Sequence, residues 1–300
     1  MAAGRYRGRF APTPSGPLHL GSLVAALGSF LAARVRDGEW LLRIEDVDPP
    51  RVMAGASDQI LRTLDAFGFG WDGEVMYQSR RGEAYRAALE ALRRQGQVYA
   101  CTCSRKQLAG MTTRGVDGPV YPGTCRANPA RDGSGALRFR VPVGRIRFSD
   151  GLLGDVACDV ARECGDFVLR RADGVYTYQL AVVIDDVEQG VTDIVRGADL
   201  LASTPRQIVL QQALCLPTPA YAHLPVILDA HGDKLSKQTL AQPVDYRRPL
   251  PALLAAASFL GMVFPEAPAS LAEFWSAAQG AWRERRPSPI RGRRPTPCNS

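Results

Sequence analysis

Leu20, Leu23, Val24, Leu27, Phe30 and Leu31 recur at intervals of three and four, the spacing that lines one face of a helix, and the run stops at the Asp37-Gly38 turn. Ahead of it, residues 5–11 read as a short strand that gives way to the breaker-rich loop Pro12-Thr13-Pro14-Ser15-Gly16, with Pro17 suited to a first helical position. Trp40 to Ile44 supplies the next strand. Strand, helix and strand in this order make a βαβ unit, the element from which parallel sheets are built, and ligands of such sheets collect where the strands end. The first loop is therefore a candidate anion site.

Further along, the pattern predicts a helix over 57–67, capped by Ser57 with Ile60, Leu61, Leu64 and Phe67 inward, and another over 80–95 with Tyr85, Leu89 and Leu92. From Gln97 to about Gly165 the chain is richer in Gly, Cys and Arg and holds only short strand-like pieces such as Leu137 to Val143, which suggests an inserted subdomain. Parallel-sheet character is expected to resume with Phe167 to Arg171. A helical run over Tyr178 to Asp185, a strand over Val191 to Arg196 and a helix opened by Ser203-Thr204-Pro205 follow. After Tyr246 an apolar helix around Leu250 to Leu260 precedes a Pro-rich end. The expectation is an α/β fold, a Rossmann-like doubly wound parallel sheet. Its two halves lie at 1–96 and 166–245, a subdomain is inserted at 97–165, and a small helical segment with a basic tail closes the chain at 246–300.

Composition narrows the class without changing the fold. At 300 residues, 46% hydrophobic and 22% charged, the chain reads as globular and long enough for a sizeable core. The longest uncharged stretch, Phe10 to Ala33, carries Pro12, Pro14, Gly16, Pro17 and His19, which argues against a membrane span, and no signal peptide is visible. A cytoplasmic address and no membrane partner are expected. The net charge of +7 suits a polyanionic partner, although Arg283 to Arg294, with six arginines and one glutamate, reads equally as a solvated tail. Among seven cysteines, the pair Cys101-x-Cys103 with Cys125 fits metal ligation in a reducing compartment better than a disulfide framework. Cys158, Cys164, Cys215 and Cys298 lack ligand spacing and read as core or tail thiols.

Three segments carry chemistry. In Arg9-Phe10-Ala11-Pro12-Thr13-Pro14-Ser15-Gly16-Pro17-Leu18-His19-Leu20-Gly21-Ser22, a loop of small residues feeds a helix N-terminus. Its amides and dipole suit phosphate, His19 is placed to donate, and Gly21 would let a base or ribose lie close. The same loop also reads as a proline-stiffened turn with His19 as a cap. In His231-Gly232-Asp233-Lys234-Leu235-Ser236-Lys237-Gln238, two lysines flank a serine, an arrangement suited to a triphosphate losing pyrophosphate, although a lysine pair taken singly reads more readily as surface decoration. Glu45, at the end of a predicted strand in Leu42-Arg43-Ile44-Glu45-Asp46-Val47-Asp48-Pro49-Pro50-Arg51, faces the first loop and suits an α-ammonium group, whereas Asp46, Asp48 and Arg51 read as an internal salt-bridge network.

In this order, His19-Leu20-Gly21-Ser22 and Lys234-Leu235-Ser236-Lys237-Gln238 resemble the paired HIGH and KMSKS signatures of class I aminoacyl-tRNA synthetases. The segment around Glu45, with Tyr176 to Asp186 and Ile194 to Leu200, is similar to the glutamyl and glutaminyl branch, and the zinc-bearing, truncated form resembles its glutamyl-Q members. The resemblance covers about residues 5–245. It implies glutamate contacts from Arg9, Phe10, Ala11, Pro12, Thr13, Glu45, Tyr178 and Arg196. It implies ATP contacts from Pro12, Ser15, Gly16, His19, Gly21, Ser22, Lys234, Leu235, Ser236, Lys237 and Gln238, with His19, Lys234 and Lys237 catalytic. An arginine fork at Arg9 pairs with a carboxylate and not with an amide, which favours glutamate over glutamine. The resemblance also implies Tyr121 as the fourth ligand beside Cys101, Cys103 and Cys125 around one structural Zn²⁺, where the residues alone leave water or no metal open as well.

The activity implied is Mg²⁺- and ATP-dependent formation of glutamyl-adenylate, followed by glutamate transfer to the queuosine base of tRNA(Asp), by a monomer. A whole anticodon-binding domain would not fit the length. A short glutamyl-tRNA synthetase charging a tRNA 3′ end and a non-catalytic tRNA-binding relative are the alternatives, and the second has no chemical reason to combine His19, Lys234 and Lys237.

Overall fold

A computed structural model describes residues 5–109, 113–115, 118–131, 134–227 and 242–285. The chain opens with β1 (Arg7–Phe10), α1 (Leu20–Arg34), β2 (Glu39–Ile44), α2 (Ala56–Ala66), β3 (Met76–Tyr77) and α3 (Gly82–Arg94). Short pieces follow: β4 (Val98–Cys101), α4 (Arg105–Ala109), the pair β5 (Arg114–Gly115) and β6 (Gly118–Pro119), β7 (Ala136–Phe139), β8 (Arg145–Asp150), β9 (Gly154–Asp159), α5 (Val160–Glu163) and β10 (Val168–Arg170). Regular alternation then returns with α6 (Tyr178–Glu188), β11 (Asp193–Gly197), α7 (Thr204–Ala213) and β12 (Ala220–Leu224), before α8 (Pro249–Phe259) and α9 (Leu271–Glu284).

β1, β2 and β3 run parallel in that spatial order, and β11, β12 and β8 pair parallel in a second group that the β8–β9 hairpin extends. The groups meet at β1 and β11, where the Thr192 amide donates to the Arg7 carbonyl at 2.9 Å and the Arg7 amide to Thr192 Oγ1 at 2.9 Å. The chain thus leaves β1 to one side and later returns to the other, which makes this junction a topological switch point. Alternation along β1 sends neighbouring side chains to opposite faces. Phe10 stacks over Trp40 in the cluster beneath α1, α8 and α9, whereas Arg9 reaches Asp186 on α6. Gly28 lets α1 lie against β12, because a Cβ there would come 2.5 Å from Leu224 Cδ1.

Several expectations are corrected. α1 begins at Leu20 and not at Pro17, with extended His19 as its N-cap. α2 is capped by Gly55, whose φ of 75° suits glycine, and not by Ser57, which sits inside the first turn. The strand expected at Phe167 to Arg171 exists but pairs antiparallel with β7 and not within the parallel sheet; a hydrophobic pattern specifies a strand and leaves its partner open. Conversely β8, within the stretch read as inserted, joins β12 through Tyr221 and Asp150. Cys158 is a core thiol as expected, but Cys215 is exposed after α7, and Cys298 lies outside the described residues. The Pro-rich end hides α9, whose Phe274, Ala278, Ala281 and Trp282 are buried. Its N-cap is legible in hindsight: Ser270 Oγ accepts from the Glu273 amide at 3.2 Å, and Glu273 accepts in turn from the amide of Ala269, one residue before the cap, at 2.9 Å.

Candidate active site

A cavity of about 750 Å³ opens where β1, β11 and β12 end. Its wall holds Arg9, Phe10, Ala11, Pro12, Thr13, Ser15, His19, Gly21, Ser22, Glu45, Tyr178 and Arg196, so the residues expected from sequence to hold glutamate share one space with those of the first loop. Gly16 is not part of that wall, but its φ of 134° supplies a turn that other residues resist. The Glu45 amide donates to the Pro12 carbonyl at 3.0 Å, tying the end of β2 to the loop. Lys234, Leu235, Ser236, Lys237 and Gln238 lie outside the described residues. The described flanks of that stretch both reach the site: Ile227 lines the cavity, and Pro243 bridges to His19.

At one end a buried charge cluster fixes Arg9. Asp186 accepts from Arg9 Nε at 3.0 Å and from Arg43 at 2.8 Å, and Arg43 also reaches Glu45 at 3.3 Å and the Gln189 side chain at 2.8 Å. Burial would raise the Asp186 carboxyl, but Arg9 and Arg43 outweigh it and hold it below the usual range. Glu45 goes the other way: burial lifts it, and Arg43 and Arg9 only partly offset that. The result is a fixed cation beside an acid whose charge is costly to bury, a combination that favours a ligand carrying both a carboxylate and an ammonium group.

At the other end Arg196 is held by four partners. Its Nε donates to His223 Nε2 at 3.2 Å, one terminal nitrogen donates to the Tyr178 hydroxyl at 3.3 Å, and the other donates to Thr204 Oγ1 at 2.7 Å and the Leu200 carbonyl at 3.4 Å. Asp150 accepts from His223 Nδ1 at 2.5 Å and from the His223 amide at 3.1 Å. Burial keeps the Tyr178 phenol above its ordinary pKa, so it stays protonated.

His19 Nδ1 accepts from the Ser22 amide at 3.3 Å, which realises the capping reading of that residue. An accepting Nδ1 places the ring proton on Nε2, the tautomer that donates. Capping and phosphate donation are therefore compatible in one neutral imidazole.

Of the acids read as an internal network, Asp46 binds the amide and hydroxyl of Ser79 at 2.8 and 2.7 Å, and Asp48 pairs with Arg171 at 2.9 Å. Arg51 instead lines the cavity. Sequence reasoning did not single out Arg43, Asp150, Asp186, Thr204 or His223. Asp186 carried a signal, an acid inside an otherwise apolar helical run; Asp150 and His223 carried none, since they lie on β8 and β12, strands that the sequence pattern did not predict.

Away from the cavity, the sulfurs of Cys101, Cys103 and Cys125 lie within 4.8 Å of one another. The Tyr121 hydroxyl sits 3.3 Å from the Cys101 sulfur and 3.8 Å from that of Cys103, and the Cys103 and Cys125 sulfurs are 3.5 Å apart. A tetrahedral zinc site with Zn–S bonds of about 2.3 Å has ligand separations of roughly 3.8 Å, so this donor set fits the ion. Burial pushes the Cys101 thiol up, but hydrogen bonds involving Tyr121, Arg138 and the Cys103 backbone outweigh it and bring it to about 7. Tyr121 is pushed the other way by burial and by its bond to Cys101.

Residues 5–249 match the family described as tRNA synthetases class I (E and Q), catalytic domain. The chain is 57% identical over 284 residues to the glutamyl-Q tRNA(Asp) synthetase of Chromobacterium violaceum, covering 94% of this chain and 95% of that one. It is 56% identical over 282 residues to the protein of the same name from Dechloromonas aromatica, covering 92% and 94%. A glutamate tRNA ligase from Elizabethkingia meningosepticum, solved in complex with its amino acid, superposes with a TM-score of 0.75 at 25% identity over 90% of this chain. The present chain spans 64% of the length of that structure.

Proposed function

Because this chain belongs to the class I glutamyl and glutaminyl tRNA synthetase family, and within it to the glutamyl-Q tRNA(Asp) synthetases, and is a ligase of that type, we propose that it activates L-glutamate with ATP and passes the glutamyl group to the queuosine base of tRNA(Asp). The observation that carries this reading is the single cavity shared by Arg9, Glu45, Tyr178 and Arg196 with the first loop and His19.

In the first step the glutamate α-carboxylate attacks the α-phosphorus of ATP, pyrophosphate leaves, and glutamyl-adenylate remains. Arg9, held by Asp186, takes one substrate carboxylate, and Glu45 takes the α-ammonium group. Tyr178 and Arg196 close the amino-acid end, while Phe10, Ala11, Pro12 and Thr13 form its floor. Ser15, Gly16, Gly21 and Ser22 accommodate the nucleotide, and His19 donates from Nε2 to the phosphate charge that develops. Lys234 and Lys237, with Leu235, Ser236 and Gln238 as their setting, are assigned to the leaving pyrophosphate. Mg²⁺ bound with ATP would supply further neutralisation of that charge. In the second step a hydroxyl of the queuine cyclopentene-diol attacks the acyl carbon and AMP departs.

One Zn²⁺ held by Cys101, Cys103, Cys125 and Tyr121 would staple the 97–165 segment, to which we assign acceptor binding, without entering the chemistry. Since the fold superposes on a solved glutamate tRNA ligase, although this chain spans only 64% of its length, transfer to a tRNA 3′ end is the competing reading. Glutamate-dependent pyrophosphate–ATP exchange in the absence of RNA tests the first step. Labelled glutamate is then offered to tRNA(Asp) with and without queuosine; equal labelling of both would overturn the acceptor assignment.

A further inference from the structure

Asp150 and His223 are fully buried, do not line the cavity, and are not needed for either chemical step, yet they form an unbroken path to it. The path runs from Asp150 to His223 Nδ1 at 2.5 Å, from His223 Nε2 to Arg196 Nε at 3.2 Å, and from Arg196 to the Tyr178 hydroxyl at 3.3 Å. A guanidinium donates and never accepts, so His223 Nε2 must be the unprotonated nitrogen, and the proton must sit on Nδ1 facing Asp150. Thr204 Oγ1, 3.1 Å from the same Nε2, accepts from Arg196 at 2.7 Å and keeps its own hydrogen to donate to the ring, an arrangement compatible with the same tautomer.

We propose that Asp150 and His223 are positioning residues that fix the direction of the Arg196 guanidinium, and through it the amino-acid end of the cavity; the proposal rests on the reading of that cavity as the glutamate site. Asp150 is well built for this. Its Oδ1 accepts from the amides of Leu152, Leu153 and His223 at 3.0, 3.0 and 3.1 Å, which immobilises the carboxylate, while Oδ2 is given to the ring. Asp150 lies on β8, in the stretch outside both halves of the nucleotide-fold pattern, so a residue of that segment governs a pocket assembled by β1, β11 and α6.

The tautomer gives a test that simple destabilisation does not mimic. Asp150→Asn is nearly isosteric, but it can turn an amide donor toward Nδ1; the ring proton then moves to Nε2 and meets the Arg196 N–H head-on. His223→Gln keeps an acceptor near the Nε2 position, whereas His223→Asn does not. Pyrophosphate exchange is measured for the three variants and the unaltered chain, varying glutamate and ATP separately, with thermal melting alongside. Asp150→Asn and His223→Asn are expected to raise the glutamate KM by about 10-fold, the cost of a buried hydrogen-bond mismatch. The ATP KM stays unchanged, and His223→Gln lies close to the unaltered chain. The proposal is overturned if all three variants shift both KM values together, if His223→Gln and His223→Asn behave alike, or if only the melting temperature moves. Should Asp150→Asn not fold, the two His223 variants decide. Absence of glutamate-dependent exchange in the unaltered chain would instead refute the glutamate assignment itself.

Discussion

Asp185 and Asp186 are neighbours on α6 and do different work, because successive helix positions point about 100° apart. Asp185 accepts from Gln78 at 2.9 Å, the Tyr85 hydroxyl at 2.6 Å and Arg81 at 3.2 Å, bolting α6 to α3, whereas Asp186 holds Arg9 and Arg43 beneath the cavity. Removing Arg9 leaves Asp186 still paired with Arg43, so Arg9→Gln should fold. It should lower kcat/KM for glutamate by about 100-fold, in line with the roughly 2–5 kcal/mol lost on truncating one member of a buried charged pair. Exchange assays with glutamate and glutamine check it, and an unchanged preference for glutamate would remove Arg9 from the specificity argument. Glu45 supplies a pH dependence. Burial lifts its pKa above the ordinary value. The charge that would hold an ammonium group exists above that raised pKa and is lost as pH falls through it. The glutamate KM should therefore climb on acidification before the ordinary glutamic acid value of about 4.3 is reached. Glu45→Gln should give a high KM without this acid limb. Parallel profiles for the two proteins would contradict the assignment.

At the scale of elements, α1 packs on β1 and β2 while Asp186 of α6 grips Arg9 and Arg43 of the same two strands, and the first loop is fixed between α1 and β2 by the His19 cap and the bond from Glu45 to Pro12. α9 closes the α1 face. Its Trp275 donates to the Phe67 carbonyl at 3.0 Å and packs against Phe30, Phe69 and Phe274. Phe274 is wholly buried. Phe274→Ala should cost about 3–5 kcal/mol of stability, read from denaturant unfolding, while exchange kinetics stay near those of the unaltered chain at a temperature where the variant is folded. α9 was missed from sequence because prolines on either side obscured a two-faced apolar pattern that is plain once Phe30 and Phe69 are seen facing it. β10 was legible as a strand, but its pairing with β7 was not, since one apolar strand fits an antiparallel edge as well as a parallel one.

Across the whole molecule, the cavity and the cysteine cluster sit in different hydrophobic clusters, the cysteines packing with Tyr99 and Tyr121 apart from the core around α1. The two proposed tasks should separate accordingly. Metal analysis should find one zinc per chain, lost in Cys103→Ser, and removal of zinc by a chelator, with Mg²⁺ restored in excess before assay, should lower the melting temperature and abolish glutamate transfer to RNA while leaving pyrophosphate exchange intact. Loss of exchange on chelation would show that the metal supports the cavity itself. Among the described residues no helix is long and apolar enough to cross a membrane, in keeping with the breakers in Phe10 to Ala33. The sequence by itself determined the βαβ opening, the turn-rich loop before α1, a cation at Arg9 and an acid at Glu45 of the kinds that suit a carboxylate and an ammonium group, and the close Cys101-x-Cys103 pair, because periodicity, turn residues and side-chain chemistry are local properties. Only the tertiary structure decided that Asp186 braces Arg9 across 177 positions and that Asp150 reaches His223 across 73. Which buried charges meet is set by strand order and helix rotation, and no short-range pattern in the chain encodes either.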